Sequence, residues 1–289
     1  MKYRDREGSE FEQTTSQDKF LADAYASPVG RSLMKFLSNP LFSQLGRIIM
    51  NSRFSTCAIM KFAEKNNIDL SEYEERKFCS FNDFFTRKIK NGKRFVTKDD
   101  TILVSPSDGK VSAYEITNSS EFVVKNSVYS VKSLLRDSKL AERYIGGTAL
   151  IIRLSVDDYH RYIYPCNGLK SHNRKIKGLL HTVNPVVSKY LPVYKENSRE
   201  YCMIRSDNFG DVIQMEVGAL MVGKITNADM NKCRIYRGGE KGYFEFGGST
   251  IILLLEKDKV RVCDDLFENT KKGYETKVKQ GEALGQSRF

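Results

Sequence analysis

At 289 residues the chain is long enough for one large domain with an appendage, or for two small domains. Its 40% hydrophobic and 11% aromatic content can fill a core, and six prolines without a low-complexity run exclude a fibrous or linker-rich chain. The balance of 47 basic against 36 acidic residues, a formal +11, favours a polyanionic neighbour, either nucleic acid or an anionic membrane surface. No nucleic-acid motif has the required spacing. Six scattered cysteines without a C-x-x-C pair offer neither a zinc set nor a disulfide framework, so no metal is expected. With no secretory signal, the thiols read as reduced and cytosolic. No stretch approaches the roughly 18 apolar residues of a membrane span, so any membrane contact is expected to be peripheral.

In chain order, residues 1–19 are polar and charged and read as a flexible leader. Residues 20–95 read as a helical, membrane-associating region. Apolar residues recur there at helical spacing: Leu33, Phe36 and Leu37, then Leu41, Leu45, Ile48 and Ile49, then Ile59, Met60, Phe62 and Ala63. Ser27-Pro28 and Asn39-Pro40 are helix-start signals. Arg31, Lys35, Arg47, Arg53, Lys61 and Lys65 interleave with the apolar positions, as on a helix lying at a lipid headgroup layer. The same pattern fits a stripe packed on the protein's own core with its cations in water.

From Thr101 the texture changes to short β-branched and apolar runs broken by Gly, Asn and Asp. Strands are expected at Ile102 to Val104, Phe122 to Val124, Ala149 to Ile152, Val212 to Val217 and Ile251 to Leu255. One short helix is expected from Val131 to Arg143, a last strand at Lys259 to Cys263, and a loose end after Phe267. The fold class is therefore α+β, with N-terminal amphipathic helices followed by a β-rich, mainly antiparallel catalytic domain over 96–289.

Gly247-Gly248-Ser249-Thr250 interrupts an apolar run that resumes at Ile251. A Gly-Ser bond bent between two buried strands can be cut by its own serine. The Ser249 hydroxyl attacks the Gly248 carbonyl, the acyl group moves from nitrogen to oxygen, and removal of the Ser249 α-hydrogen breaks the ester. Loss of ammonia then leaves a pyruvoyl group, and glycine tolerates the strained backbone this needs. Alone, the tetrapeptide proves little, since Gly-Gly-Ser-Thr is more often a bulge or turn.

Three further segments precede it in order: Ser80-Phe81-Asn82-Asp83-Phe84-Phe85-Thr86-Arg87, Ser105-Pro106-Ser107-Asp108-Gly109-Lys110-Val111 and Asp157-Asp158-Tyr159-His160-Arg161. With the linking segments Tyr164 to Gly168, Lys195 to Glu200 and Val217 to Gly223, the set from Phe81 to Glu256 resembles the phosphatidylserine decarboxylase family, whose proenzymes mature by such self-cleavage. The resemblance implies cleavage between Gly248 and Ser249 into a β chain, 1–248, and an α chain, 249–289, that stay together. It implies a covalent pyruvoyl cofactor made from Ser249 and a phospholipid substrate. The implied place is peripheral, on the cytoplasmic face of the cell membrane, against an anionic surface and without nucleic acid; a homodimer is left open.

The histidines are His160, His172 and His181. His160 matches the first histidine of its family motif, for which the resemblance implies substrate handling or proton donation during decarboxylation. The family's second histidine, the base of self-cleavage, falls at Ile163, which cannot move a proton. His181, flanked by Leu179, Leu180 and Val183, is the candidate replacement, although a histidine on an apolar strand also reads as a hydrogen-bonded core residue. Asp108 matches the aspartate for which the resemblance implies partnership with the maturation base; without the other motifs, Asp-Gly reads as an ordinary hairpin turn. His172, in a polar turn, reads as surface. Two alternatives stand beside the decarboxylase of phosphatidylserine: a pyruvoyl decarboxylase of a soluble amino acid, and an uncleaved lipid-binding module.

Overall fold

A strand that is apolar at consecutive positions needs cover on both faces. The run after Ser249 has that cover in the computed structural model, which describes residues 2–12, 26–30, 32, 46–74, 77–124, 127–178, 196–218, 224–247 and 249–289. In chain order the strands are β1 (Lys2–Arg4), β2 (Glu10–Glu12), β3 (Ile102–Val104), β4 (Gly109–Glu115), β5 (Glu121–Val124), β6 (Ser127–Ser130), β7 (Thr148–Leu154), β8 (Arg161–Ile163), β9 (Gly168–Lys170) and β10 (Arg174–Ile176). They continue as β11 (Arg199–Ser206), β12 (Asp211–Gly218), β13 (Ile225–Asn227), β14 (Cys233–Ile235), β15 (Glu240–Phe244), β16 (Ser249–Leu255), β17 (Val260–Val262), β18 (Glu275–Val278) and β19 (Ala283–Ser287). Helices are α1 (Ile59–Lys65), α2 (Phe81–Phe85), α3 (Val131–Leu135), α4 (Ser138–Glu142) and α5 (Asp264–Lys271).

The main sheet runs β14-β9-β11-β12-β16-β7-β4-β18-β1-β2, with β10 added on β11. Its pairs are antiparallel except β1 with β18. Alternation sends Ile252 and Leu254 of β16 into one core, with Phe122, Tyr129 and Leu134 above them. Ile251, Leu253 and Leu255 enter a second core under Tyr162, Phe244 and Leu266. The small sheets β13-β15-β8 and β17-β19-β3 cover that second face. The α+β, mainly antiparallel class is the observed one.

Several local expectations change. Residues 2–12, read as leader, form a hairpin on the sheet edge. Tyr3 stacks on Phe11 at 5.0 Å, and Arg4 pairs with Glu10 and lies over the Tyr274 ring. The end is not loose, since α5, β18 and β19 bury Leu266, Val278 and Leu284. The single helix over 131–143 is two: Arg136 at φ 50° breaks it, and the Asp137 side chain accepts from Leu140 N at 3.0 Å to start α4.

In the N-terminal region, α1 buries Ile59 and Ala63 against Phe81, Phe84 and Phe85. Ile48 and Ile49, on the helical turn 46–50, are exposed, as are Phe54 (90%) and Met60. Leu33, Phe36, Leu37, Leu41 and Leu45 lie outside the described residues. Among the described residues no helix is long and apolar enough to cross a membrane.

Candidate active site

Ser249 opens β16 opposite Leu154 of β7 and Gly218 of β12. It is fully buried, and its hydroxyl has no hydrogen-bond partner. A buried polar atom left unpaired costs free energy, so the position asks for an explanation beyond packing. Gly218 is fixed from both ends: its carbonyl accepts from Asn197 Nδ2 at 2.8 Å and its N–H donates to Ser198 O at 2.9 Å. Gly247 sits at φ 143°, in the region that favours glycine, two residues before Ser249. Gly248 lies outside the described residues.

The chain reaching Ser249 is clamped by α2. Ser80 caps this helix, its Oγ accepting from Asp83 N at 3.1 Å, while Asp83 Oδ2 accepts from Cys79 N at 2.9 Å. The cap aims Asn82 so that its Oδ1 accepts from Phe246 N at 2.9 Å. Phe81 and Phe85 meet the Phe246 ring edge-on, each at 5.1 Å. Phe85 also contacts the His160 ring at 4.1 Å. Thus the first motif joins the segment before Ser249 to the third motif.

His160 precedes β8, and its carbonyl accepts from Phe244 N at 3.0 Å, extending the β8–β15 pairing toward Phe246. Its Nδ1 is 2.9 Å from the Asp158 carbonyl. A carbonyl only accepts, so the proton sits on Nδ1 and Nε2 carries a free lone pair. Nε2 has no partner. Burial, with Arg87 and Lys110 nearby, pushes this imidazole down to about 3 against the pull of Asp158, so it is neutral. Burial would raise Asp158, but Lys110 Nζ at 2.9 Å and Ser155 N at 2.6 Å hold it below the ordinary carboxylate range.

Asp108 stands in the turn before β4, where Gly109 has φ 156° and a Cβ would meet Arg153 O at 2.8 Å. Its carboxylate is gripped by Arg94, Nε at 2.8 Å and Nη2 at 2.5 Å, and by Gln280 N at 2.8 Å. Gln280 Nε2 donates to Arg161 O at 2.9 Å, bridging the Asp108 and His160 segments. Ile163 is buried and its N–H donates to Pro106 O at 2.9 Å, in the Asp108 segment. The structure therefore gathers Ser249's approach, His160 and the Asp108 turn around α2 and β8. His181 lies outside the described residues, and His172 is exposed.

Two features carry no sequence expectation. Asn82 and Phe85 were legible as motif residues, not as the clamp. The second is an ion pair between layers: Lys241 Nζ of β15 lies 2.5 Å from Glu216 Oε2 of β12, both fully buried, and 3.1 Å from Asn227 Oδ1. Burial pushes Glu216 up to about 6 despite Lys241, and burial pulls Lys241 down, but Glu216 together with Cys202 and Glu200 leaves it raised. The available signal was a glutamate inside the apolar run 212–217. Among the described residues no group of three His, Cys, Asp or Glu could hold a metal ion.

Residues 81–286 match the family model described as phosphatidylserine decarboxylase. Phosphatidylserine decarboxylase proenzyme 2 of Clostridium acetobutylicum is 47% identical over 272 residues, covering 94% of this chain and 92% of the relative. The phosphatidylserine decarboxylase proenzyme of Clostridium kluyveri is 38% identical, covering 99% and 98%. That of Clostridium novyi is 42% identical, covering 93% and 92%.

Proposed function

Because the chain belongs to the phosphatidylserine decarboxylase family, we propose that it converts phosphatidylserine to phosphatidylethanolamine at a pyruvoyl group made from Ser249 by self-cleavage after Gly248. The observation that carries this reading is the fully buried, unpartnered Ser249 hydroxyl, at the end of a segment clamped by Asn82, Phe81 and Phe85. The donor set fits the group, since a hydroxyl with no hydrogen bond to break is free to attack the preceding carbonyl. Once formed, the carbonyl supplies an electron sink for the substrate carbon that loses its carboxylate. The chain's residues supply the rest. His160, neutral with its lone pair on Nε2, accepts a hydrogen bond from the substrate and so takes the substrate-handling role rather than proton donation. His181 removes the Ser249 α-hydrogen during maturation, with Asp108 as its partner.

Cleavage leaves the fold intact, because the 249–289 fragment supplies β16 to the middle of the sheet and β18 to its far side. The exposed Ile48, Ile49, Phe54 and Met60 beside Arg47, Arg53 and Lys61 support peripheral contact with an anionic membrane at the cytoplasmic face.

An intact mass of the denatured protein tests the reading. Fragments 1–248 and 249–289 are expected, and Ser249→Ala should give one uncut chain that releases no carbon dioxide from phosphatidylserine. A normally processed Ser249→Ala protein overturns the assignment, and turnover of a soluble amino acid in place of the lipid would move the substrate class. Serine at Ile48, Ile49 and Phe54 should weaken sedimentation with anionic vesicles while leaving cleavage intact.

A further inference from the structure

The Ser249 hydroxyl must lose its proton to attack, and among the described residues the gathered segments offer few acceptors. Ile163 has none. His160 Nε2 is free but belongs to an imidazole that burial makes a very weak base. A carboxylate of different quality lies on the other flank. On β12, Gly218 stands opposite Ser249 and Glu216 opposite Ile251, so Glu216 and Ser249 share one face of the sheet as diagonal neighbours. Such neighbours have Cα atoms about 7–8 Å apart, and Gly218 puts no side chain between them. Glu216 Oε1 and Ser249 Oγ are not hydrogen-bonded to each other as the chain stands, so the transfer requires the Glu216 side chain to turn or a water to bridge.

Glu216 is fully buried; it faces Lys241 on β15, Tyr162 on β8 and Glu200 on β11. Lys241 binds Oε2 at 2.5 Å and is itself fixed by Asn227 at 3.1 Å, whereas Oε1 has no partner. A buried ion pair built only for stability would be expected to satisfy both oxygens. Burial also raises this carboxylate to about 6, the range in which a general base works near neutral pH.

We propose that Glu216 is the base that takes the Ser249 hydroxyl proton in the first step of maturation, with Lys241 as the positioning residue that holds its carboxylate. The inference rests on the self-cleavage reading above. In the step, the Oγ–H bond breaks as Oγ bonds to the Gly248 carbonyl carbon, and Glu216 receives the proton. The bond from that carbon to Ser249 N then breaks and the proton passes from Glu216 to the nitrogen. The products are an ester, a free amine and the regenerated carboxylate, with no outside reactant. Removal of the α-hydrogen is a later and separate proton transfer.

The full-length double variant Glu216→Gln/Lys241→Met removes both charges at similar volume, so no unpaired ion is left in the core. Alongside Glu216→Gln, it is followed by denaturing electrophoresis over time, with and without hydroxylamine, which cuts an ester and spares an amide. Expected is a chain with wild-type-like circular dichroism that forms fragments about 10²–10⁴-fold more slowly, with hydroxylamine releasing nothing. Cleavage at the wild-type rate in either variant overturns the inference and makes the pair structural. Accumulation of a hydroxylamine-sensitive ester also overturns it, since Glu216 would then act after the acyl shift. If Ser249→Ala is itself cut, the self-cleavage reading fails; if only the Glu216 variants cut normally, that reading stands and this inference alone falls.

Discussion

Two buried lysine–carboxylate pairs are anchored on either side of β16 in the sheet, and they are built differently. On the β7 side, Asp158 accepts from Lys110 Nζ and Ser155 N, and Lys110 also donates to Ser155 Oγ at 3.0 Å. On the β12 side, Glu216 receives Lys241 on one oxygen and nothing on the other. The first carboxylate is held below its ordinary range and the second is pushed above it. The same two chemical groups thus make a brace with two donors on one carboxylate oxygen in one place, and a singly bonded, poised proton acceptor in the other. The difference lies in how many hydrogen bonds reach the carboxylate after burial has raised its cost.

Removing the brace should have the largest effect on stability. Asp158→Asn leaves the buried Lys110 ammonium with only Asp157, at 4.0 Å, as a counterion, and we expect a loss of about 3 kcal/mol in urea unfolding. The fraction that remains folded should still self-cleave. A stable but uncut Asp158→Asn protein would reverse the comparison and make Asp158 the reactive carboxylate.

Stability against pH should separate the pairs by sign. Asp158 has a lowered folded pKa, so its contribution is present above the unfolded value and is lost as pH falls through the carboxylate range. Glu216 rises from 4.5 to about 6, so its contribution is full below 4.5 and is lost as pH rises past 6. That shift corresponds to about 2 kcal/mol. His160, pushed down from 6.5 to about 3, opposes it by losing stability as pH falls below 6.5, so the wild-type curve alone hides the effect. Subtracting the Glu216→Gln/Lys241→Met curve exposes it: the wild-type advantage should shrink by about 2 kcal/mol between pH 4.5 and above 6. A flat difference would mean that Glu216 titrates as an ordinary carboxylate.

These two pairs also mark how far the sequence could be read. The strand after Ser249 was legible because burial on both faces leaves a continuous apolar run, and His160 and Asp108 because they sit in ordered motifs. The clamp was not legible, since Asn82 finds Phe246 across 164 residues and only the cap of α2 aims it. Glu216 and Lys241 were hidden for a related reason: they lie on different sheets, and local periodicity carries no information about which layers meet. The N-terminal hairpin consists of three-residue strands rich in charge, and only pairing with β18 near the other end of the chain makes them strands. Arg136 in the left-handed region has no glycine signal to announce the break it makes.

The smallest expected effect on stability compares the two asparagines that anchor the flanks. Asn82 holds Phe246 N on the approach to Ser249, and Asn197 holds Gly218 O on the neighbouring strand. Alanine at either should cost about 1 kcal/mol, near the lower end for a lost partner, because Phe246 is only half-buried and a carbonyl keeps a second lone pair. Their effects on maturation should nevertheless diverge. Gly218 ends a strand laddered on both sides, by β11 and by β16, so losing Asn197 moves it little. Phe246 lies between β15 and β16 and belongs to neither, so Asn82 and the rings of Phe81 and Phe85 are what fix its place. Loosening it lets the attacking hydroxyl and its carbonyl drift from reacting distance, and 1.4 kcal/mol of lost alignment is a factor of ten in rate. Asn82→Ala should therefore form fragments about tenfold more slowly than wild type, with Asn197→Ala close to wild type, at a temperature where both are folded. The opposite order would place control of the geometry in β12, beside Glu216, rather than in the clamp.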